Sequence, residues 1–339
     1  MSNRNHVTKE FLTIDEQIEL LKNRKLIIKN EEAAKIHLLE KNYFDLINGF
    51  ETLMLKDSKA ATKEFDYYYF EDFIFLYEFD KKLNVEILRL LDRFETRFKT
   101  SMAHRFCEKH FVNPSDARSY IDVNKYTDPR SNHLSVPREI AKPVQYHKIF
   151  NTNISFNRNT YPDFIEFCKA KYTYLSTYAD PPFWMTIKVL EFGVLFQLLI
   201  RYERDIFVNV IADMGMNYLE KQKFINSIRI FIELRNTCAH FQLVNRFRTP
   251  NNLRIDAGLI VDLGLKTKLN INGVPTYYEI RLYDVLLVLS QFENLKDIRD
   301  LIKKYYFDVA NSKRQRTLMT KLFDRMGRKN ISDWIKLGR

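Results

Sequence analysis

Cysteine is nearly absent: Cys107, Cys168 and Cys238 are the only three in 339 residues, far apart and never as a CxxC pair. That argues against a disulfide framework and a thiolate zinc site, and it fits a reducing compartment. Glycine (8) and proline (9) are also scarce. Few breakers over such a length favour long helices over many short strands and turns. There is no G-x-G-x-x-G, no P-loop and no nucleophile elbow, so nucleotide hydrolysis and acyl transfer have no support. Long apolar runs are missing too. The best membrane candidate, FWMTIKVLEFGVLFQLLI (Phe183–Ile200), holds Lys188, Glu191 and Gln197, which are costly in lipid. It reads as a helix buried in protein on nearly all sides. The opening MSNRNHVTKEF has no apolar segment of the kind a secretion signal needs. A cytoplasmic protein without membrane association is the expectation.

Acidic residues are in deficit, 43 against 54 Lys and Arg, for a net charge of +11. A basic balance of this size favours polyanionic partners such as nucleic acid, or else a solvated basic surface. The chain is rich in what builds a core: 45% hydrophobic and 14% aromatic, with 27 Phe and 19 Tyr. Disorder is therefore not the default. The reading is a mainly α fold.

Thr13-Ile14-Asp15-Glu16 fits a capping box, opening a short helix to about Arg24. Asn30 caps a second helix that runs to near Gly49. Residues 1–60 form this N-terminal helical unit, and the polar stretch KDSKAATKE (Lys56–Glu64) links it to the rest. A main helical domain is expected over 65–305. From Phe70 to His110, residues Phe73, Leu76, Tyr77, Asp80, Leu83, Ile87, Leu90, Leu91, Phe94 and Phe98 fall mostly at steps of three and four, the period of one long amphipathic helix. Residues 113–162 show no clear period and read as an irregular excursion. Helices are expected again at Phe164, over Phe183–Asp205, over Leu219–Arg246 and over Leu282–Lys304. Asn272-Gly273 between β-compatible runs signals a hairpin at about 265–281. Residues 306–339 form a basic helical tail. No internal repeat is visible.

The stretch ELRNTCAHF (Glu233–Phe241) carries the candidate chemistry. Phe224, Ile228, Phe231 and Leu234 form an apolar stripe, while Asn236 and His240, four apart, share another face. Arg235 lies one step aside. A guanidinium fork matches a phosphate and can stabilise charge building on a phosphorane. An imidazole can take or give a proton near neutral pH. RNA supplies its own nucleophile, the 2′-OH beside the scissile phosphate, so no metal or other cofactor is required. One histidine cannot be base and acid at once, so two motif helices facing each other in a homodimer would make a better site. The spacing itself is loose. It recurs at Arg97 with His104, candidates for an RNA phosphate contact, and at Arg105 with His110, and the residues alone leave open an ordinary ion pair and helix-end histidine. The same holds for the tail. Lys313, Arg314, Arg316, Arg325 and Arg328 can grip RNA phosphates or line a solvated amphipathic helix. Tyr305, Tyr306, Phe307 and Trp334 read as packing inside. His133 and His147 lie in the excursion without ligand spacing, and His104, Cys107 and His110 gather on no common face, so no metal site is expected.

RNTCAH resembles the RNxxxH form of the HEPN ribonuclease motif. The surrounding chain is similar to the bacterial abortive-infection AbiD/AbiF proteins, a HEPN branch. The likeness rests on FLTIDEQIELLKNRKLIIKNEEAAKIHLLEKNYFDLINGF, DFIFLYEFDKKLNVEILRLLDRFETRF, PPFWMTIKVLEFGVLFQLL and ELRNTCAHFQLVNR, in that order. It implies a HEPN helical bundle and a role in phage defence as an RNA-directed toxin. By the same resemblance Arg235 and His240 would carry cleavage, assisted by Asn236, in a site shared between two protomers. A small structured non-coding RNA is implied as partner or inhibitor. The competing expectation is a protein that binds such an RNA as an infection sensor without cutting it.

Overall fold

The computed structural model describes residues 10–60, 62–135, 148–266, 268–269, 275–276 and 279–339. The fold is mainly α, 65% helical, with small antiparallel hairpins as its only sheets among the described residues. Its axis is the helix Phe70–His110, 41 residues long and so about 60 Å from end to end. All of the residues in its predicted stripe are buried except Tyr77, which is partly buried. One continuous hydrophobic cluster runs along it and takes in residues from Ile18 to Leu337.

The first helix, Ile14–Asn23, starts on the expected capping box: Thr13 N–H donates to Glu16 Oε2 at 2.7 Å and Glu16 N–H to Thr13 Oγ1 at 3.3 Å. Asn30 caps Glu31–Glu40 through Ala33 N–H at 3.0 Å. That helix stops short of the expected Gly49. The chain is extended at Lys41, and Asn42 Oδ1 takes Phe44 N–H at 2.8 Å to start a separate wide turn, Phe44–Asn48. Gly49 closes this turn where no side chain fits: a Cβ there would lie 2.0 Å from Asp45 O and 2.4 Å from Leu243 Cδ1. The close approach seats the wide turn against the chain that follows the motif.

Two expected long helices are broken, and packing explains both. Phe183–Asp205 divides into Phe183–Thr186, a tight turn at Ile187–Val189, Phe192–Leu199 and the start of Arg204–Asp213. The break lets Phe183 reach Phe106 (5.4 Å between centroids) while Phe192 reaches Phe94 and Phe98 (both 6.1 Å), a different level of the central helix. Leu282–Lys304 divides into Leu282–Leu289 and Lys296–Lys303. In the gap Phe292 inserts against Phe94, Phe231 and Phe224 at 5.2, 5.6 and 6.1 Å. Burial of this much aromatic surface outweighs local helix propensity.

The excursion holds short 3₁₀ turns and a hairpin that composition did not signal. Ile154–Phe156 pairs with Asn159–Tyr161 through Asn157 and Arg158, both at positive φ. After the motif helix Lys268–Leu269 pairs with Pro275–Thr276, as expected of a hairpin there. Its predicted Asn272-Gly273 turn, and His147, lie outside the described residues. The basic tail forms the helix Lys313–Arg325, capped by Ser312. It packs beside the central helix and the N-terminal unit, with Lys321 Nζ on Leu53 O at 2.9 Å. Among the described residues no helix is long and apolar enough to cross a membrane.

Candidate functional site

The motif helix is Lys221–Ala239, with His240 as its C-cap, so it stops short of the expected Arg246: Phe241 turns left-handed and Val244–Arg246 is a separate tight turn. Its predicted stripe, Phe224, Ile228, Phe231 and Leu234, is wholly buried. Phe231 meets Phe94 edge-on at 5.0 Å and Phe224 meets Phe98 at 6.2 Å. Burial on that side leaves the motif's polar residues towards solvent. Asn236 and His240 are exposed, and Arg235 is about 40% exposed at its side chain. Arg235 leans towards the central helix, with Nε 3.7 Å from Glu95 Oε2. Lys99 Nζ holds the other oxygen of that carboxylate at 2.8 Å. Cys238, two residues before His240, is buried, and burial pushes its thiol up to about 12. It offers no thiolate for nucleophilic catalysis.

The helix ends in a Schellman arrangement. Gln242 N–H donates to Thr237 O at 3.1 Å and Phe241 N–H to Cys238 O at 3.0 Å. Such an end needs a left-handed residue, usually glycine. Here Phe241 takes it, at φ +51° and 60% exposed. A side chain in that region costs about 1 kcal/mol or more and persists only when its surroundings enforce it. They do. Lys81 Nζ donates to Phe241 O, and Asn84 Nδ2 donates to Gln242 O at 3.1 Å. Asp80, fully buried, accepts Val244 N–H at 3.0 Å, Asn245 N–H at 2.8 Å and Asn245 Nδ2 at 2.8 Å. One turn of the central helix thus clamps the chain that follows His240.

Burial raises the Asp80 carboxyl to about 6, against the three donors that favour its charged form. The folded value lies above the unfolded one. The associated stability is present in full below about pH 4 and is lost as pH rises through about 6. Wild type is therefore expected to gain up to about 2–3 kcal/mol on Asp80→Asn between pH 7 and pH 4. Denaturant titrations of both proteins at the two pH values measure it.

His240 opens on a cleft of about 530 Å³, lined also by Phe44, Asp45, Phe241, Arg246 and Arg248. Arg235 is not among the residues that line it. A second, larger groove of about 720 Å³ runs along the central helix and contains His104, Lys99, Trp184 and Lys188.

The other sequence-predicted residues are distributed as follows. Arg97 donates to Phe292 O at 3.1 Å and faces Glu293 at 3.6 Å. Arg105 forks onto Asp213 at 2.8 and 2.7 Å, and His110 faces Glu203 at 2.9 Å, so that pair serves the packing of the central helix. Arg314 is paired with Asp72 at 2.7 Å and lies over the Tyr69 ring. Arg325 donates to Gly49 O at 2.8 Å and Asn245 Oδ1 at 3.0 Å, and Arg328 meets Asp284 at 3.2 Å. Lys313 and Arg316 are exposed, with no side-chain hydrogen bond or ion pair among the described residues. Tyr305 and Trp334 are packed inside as expected, whereas Phe307, also expected inside, is 54% exposed. Sequence reasoning placed Asp80 in the core stripe without drawing the consequence. A buried carboxylate needs donors, and they come from the segment after the motif.

The family model described as "Abi-like protein" matches residues 36–244, more than half of the chain. The match covers the central helix and the motif helix. No curated protein and no solved structure matches.

Proposed function

This chain belongs to the Abi-like protein family, and from that premise we propose that its abortive-infection role is carried out on RNA, as a metal-independent endoribonuclease toxin. In this reading the substrate's 2′-OH attacks the adjacent phosphorus, and the bond to the 5′-oxygen breaks. The products end in a 2′,3′-cyclic phosphate and a 5′-OH. His240 moves the proton, Arg235 stabilises the charge on the phosphorane, and Asn236 orients the imidazole or the phosphate.

The observation that carries the reading is the setting of His240. It is exposed at the end of the motif helix, on a cleft that also presents two arginines. Arg235 does not line that cleft, so in this reading the expected homodimer completes the site, with a second copy bringing its own Arg235 and His240 to the first. A small structured RNA bound to the basic surface would then hold the toxin in check.

A second reading is favoured by the same geometry. Arg235 leans on Glu95 rather than towards His240, as suits a protein that holds a structured non-coding RNA and senses infection without cutting. Incubation of purified protein with cellular RNA in EDTA separates the two. Fragments with 2′,3′-cyclic phosphate ends are the expected result. Intact RNA that co-purifies and stays uncut under these conditions would favour the sensor.

A further inference from the structure

We propose that Arg246 and Arg248 form a phosphodiester-binding subsite in the cleft beside His240, with the exposed Phe241 and Phe44 rings as stacking platforms for the neighbouring bases. The proposal rests on the RNA reading above and names the part of the molecule that grips the strand next to the motif.

The arginines are anchored in an unusual way for surface cations. Arg246 donates through Nε to Gly49 O at 3.1 Å and through Nη2 to Asn48 O. Arg248 donates to Phe247 O at 2.6 Å and Arg325 O at 2.8 Å, with Glu279 at 3.5 Å from its Nε. Backbone carbonyls fix a guanidinium in place without cancelling its charge; that of Arg246 is left whole by them, and that of Arg248 is offset in part by Glu279. Each arginine has five N–H donors, so the anchored forks keep donors for a further acceptor. A fork held this way loses little entropy when it meets a phosphate. Arg325 stands directly behind, since it shares Gly49 O with Arg246. Burial first, then the charges of Arg246 and Arg248, lower its guanidinium to about 10. Two cations line one wall of the cleft and a third stands behind them. Asp45 is the opposing charge on its lining, and it leaves the arginine wall as the side a phosphate would take.

Phe241 is an independent sign of a ligand. A phenylalanine held at positive φ and 60% exposed serves neither core packing nor backbone relaxation, where glycine would do better. Phe44, also 60% exposed, stands on the same cleft. Exposed rings beside anchored cations are the pattern of single-strand recognition, in which bases stack and phosphates pair.

The test uses a fluorescent single-stranded RNA, 2′-O-methylated throughout so that it cannot be cleaved, titrated with full-length protein across a potassium chloride series. Phe241→Gly is expected to bind about 5- to 100-fold more weakly, while its melting temperature stays level or rises because the left-handed strain is relieved. Arg246→Gln is expected to lower the slope of log affinity against log salt by about one. Unchanged affinity in Phe241→Gly together with an unchanged slope in Arg246→Gln, with wild type binding well, overturns the subsite and leaves the RNA reading standing. Failure of wild type itself to bind overturns the RNA reading, and the subsite with it.

Discussion

Asp80→Ala is expected to cost the folded chain about 3–5 kcal/mol and to abolish activity in whatever protein remains folded. The carboxylate is fully buried and takes three hydrogen bonds from Val244 and Asn245. Its removal strands two backbone N–H groups and an amide in the interior and opens a cavity. The chain that loses its anchor is the one that sets Phe241, Arg246 and the end of the motif helix. Asp80→Asn keeps one acceptor and the volume, so it should fall well short of this loss. Denaturant unfolding of the three proteins at pH 7 gives the comparison. An alanine variant within about 1 kcal/mol of wild type would mean that the clamp is held by Lys81 and Asn84 instead.

His240→Ala is expected to lower RNA cleavage by about 10²- to 10⁴-fold, the range in which a positioned acid–base group acts. Stability should barely move. The side chain is exposed, and among the described residues it makes no hydrogen bond or ion pair. RNA affinity should stay near that of wild type, since the cations of the cleft remain. Initial rates on a labelled RNA, together with a thermal melt, decide the matter. A variant that cuts at the wild-type rate would remove His240 from the chemistry.

Much of the fold is legible in the residues because its largest element repeats its apolar positions for some forty residues. The stripe from Phe73 to Phe98, Tyr77 apart, and that from Phe224 to Leu234 are both buried as their spacing implies. The Thr13 and Asn30 caps are equally local, and both are in place. What escapes a linear reading is set by distant partners. The breaks at Leu190 and near Phe292 follow from the levels at which those segments meet the central helix, and nothing in FWMTIKVLEFGVLFQLLI or LLVLSQFENLKDI announces them. The hairpin at Asn157-Arg158 lacks the glycine that would flag it.

The candidate site divides along the same line. The side of the motif helix that faces solvent can be read from its period. The left-handed Phe241 cannot, because phenylalanine is a poor residue for a helix end, and the groups that enforce it stand some 160 positions earlier in the chain. Nor does the sequence separate the tail arginines. Arg314, Arg325 and Arg328 sit among Lys313 and Arg316 in one basic run, yet the first three have acceptors inside the protein.

In the reading proposed above, this Abi-like protein breaks RNA with the substrate's own 2′-hydroxyl at the His240 cleft. The most direct measurement compares two RNAs identical except for a single 2′-O-methyl group at the mapped cut position, incubated with the protein in EDTA. The methylated RNA is expected to survive at that position while the unmodified one yields a 2′,3′-cyclic phosphate end. Equal cleavage of both would contradict it.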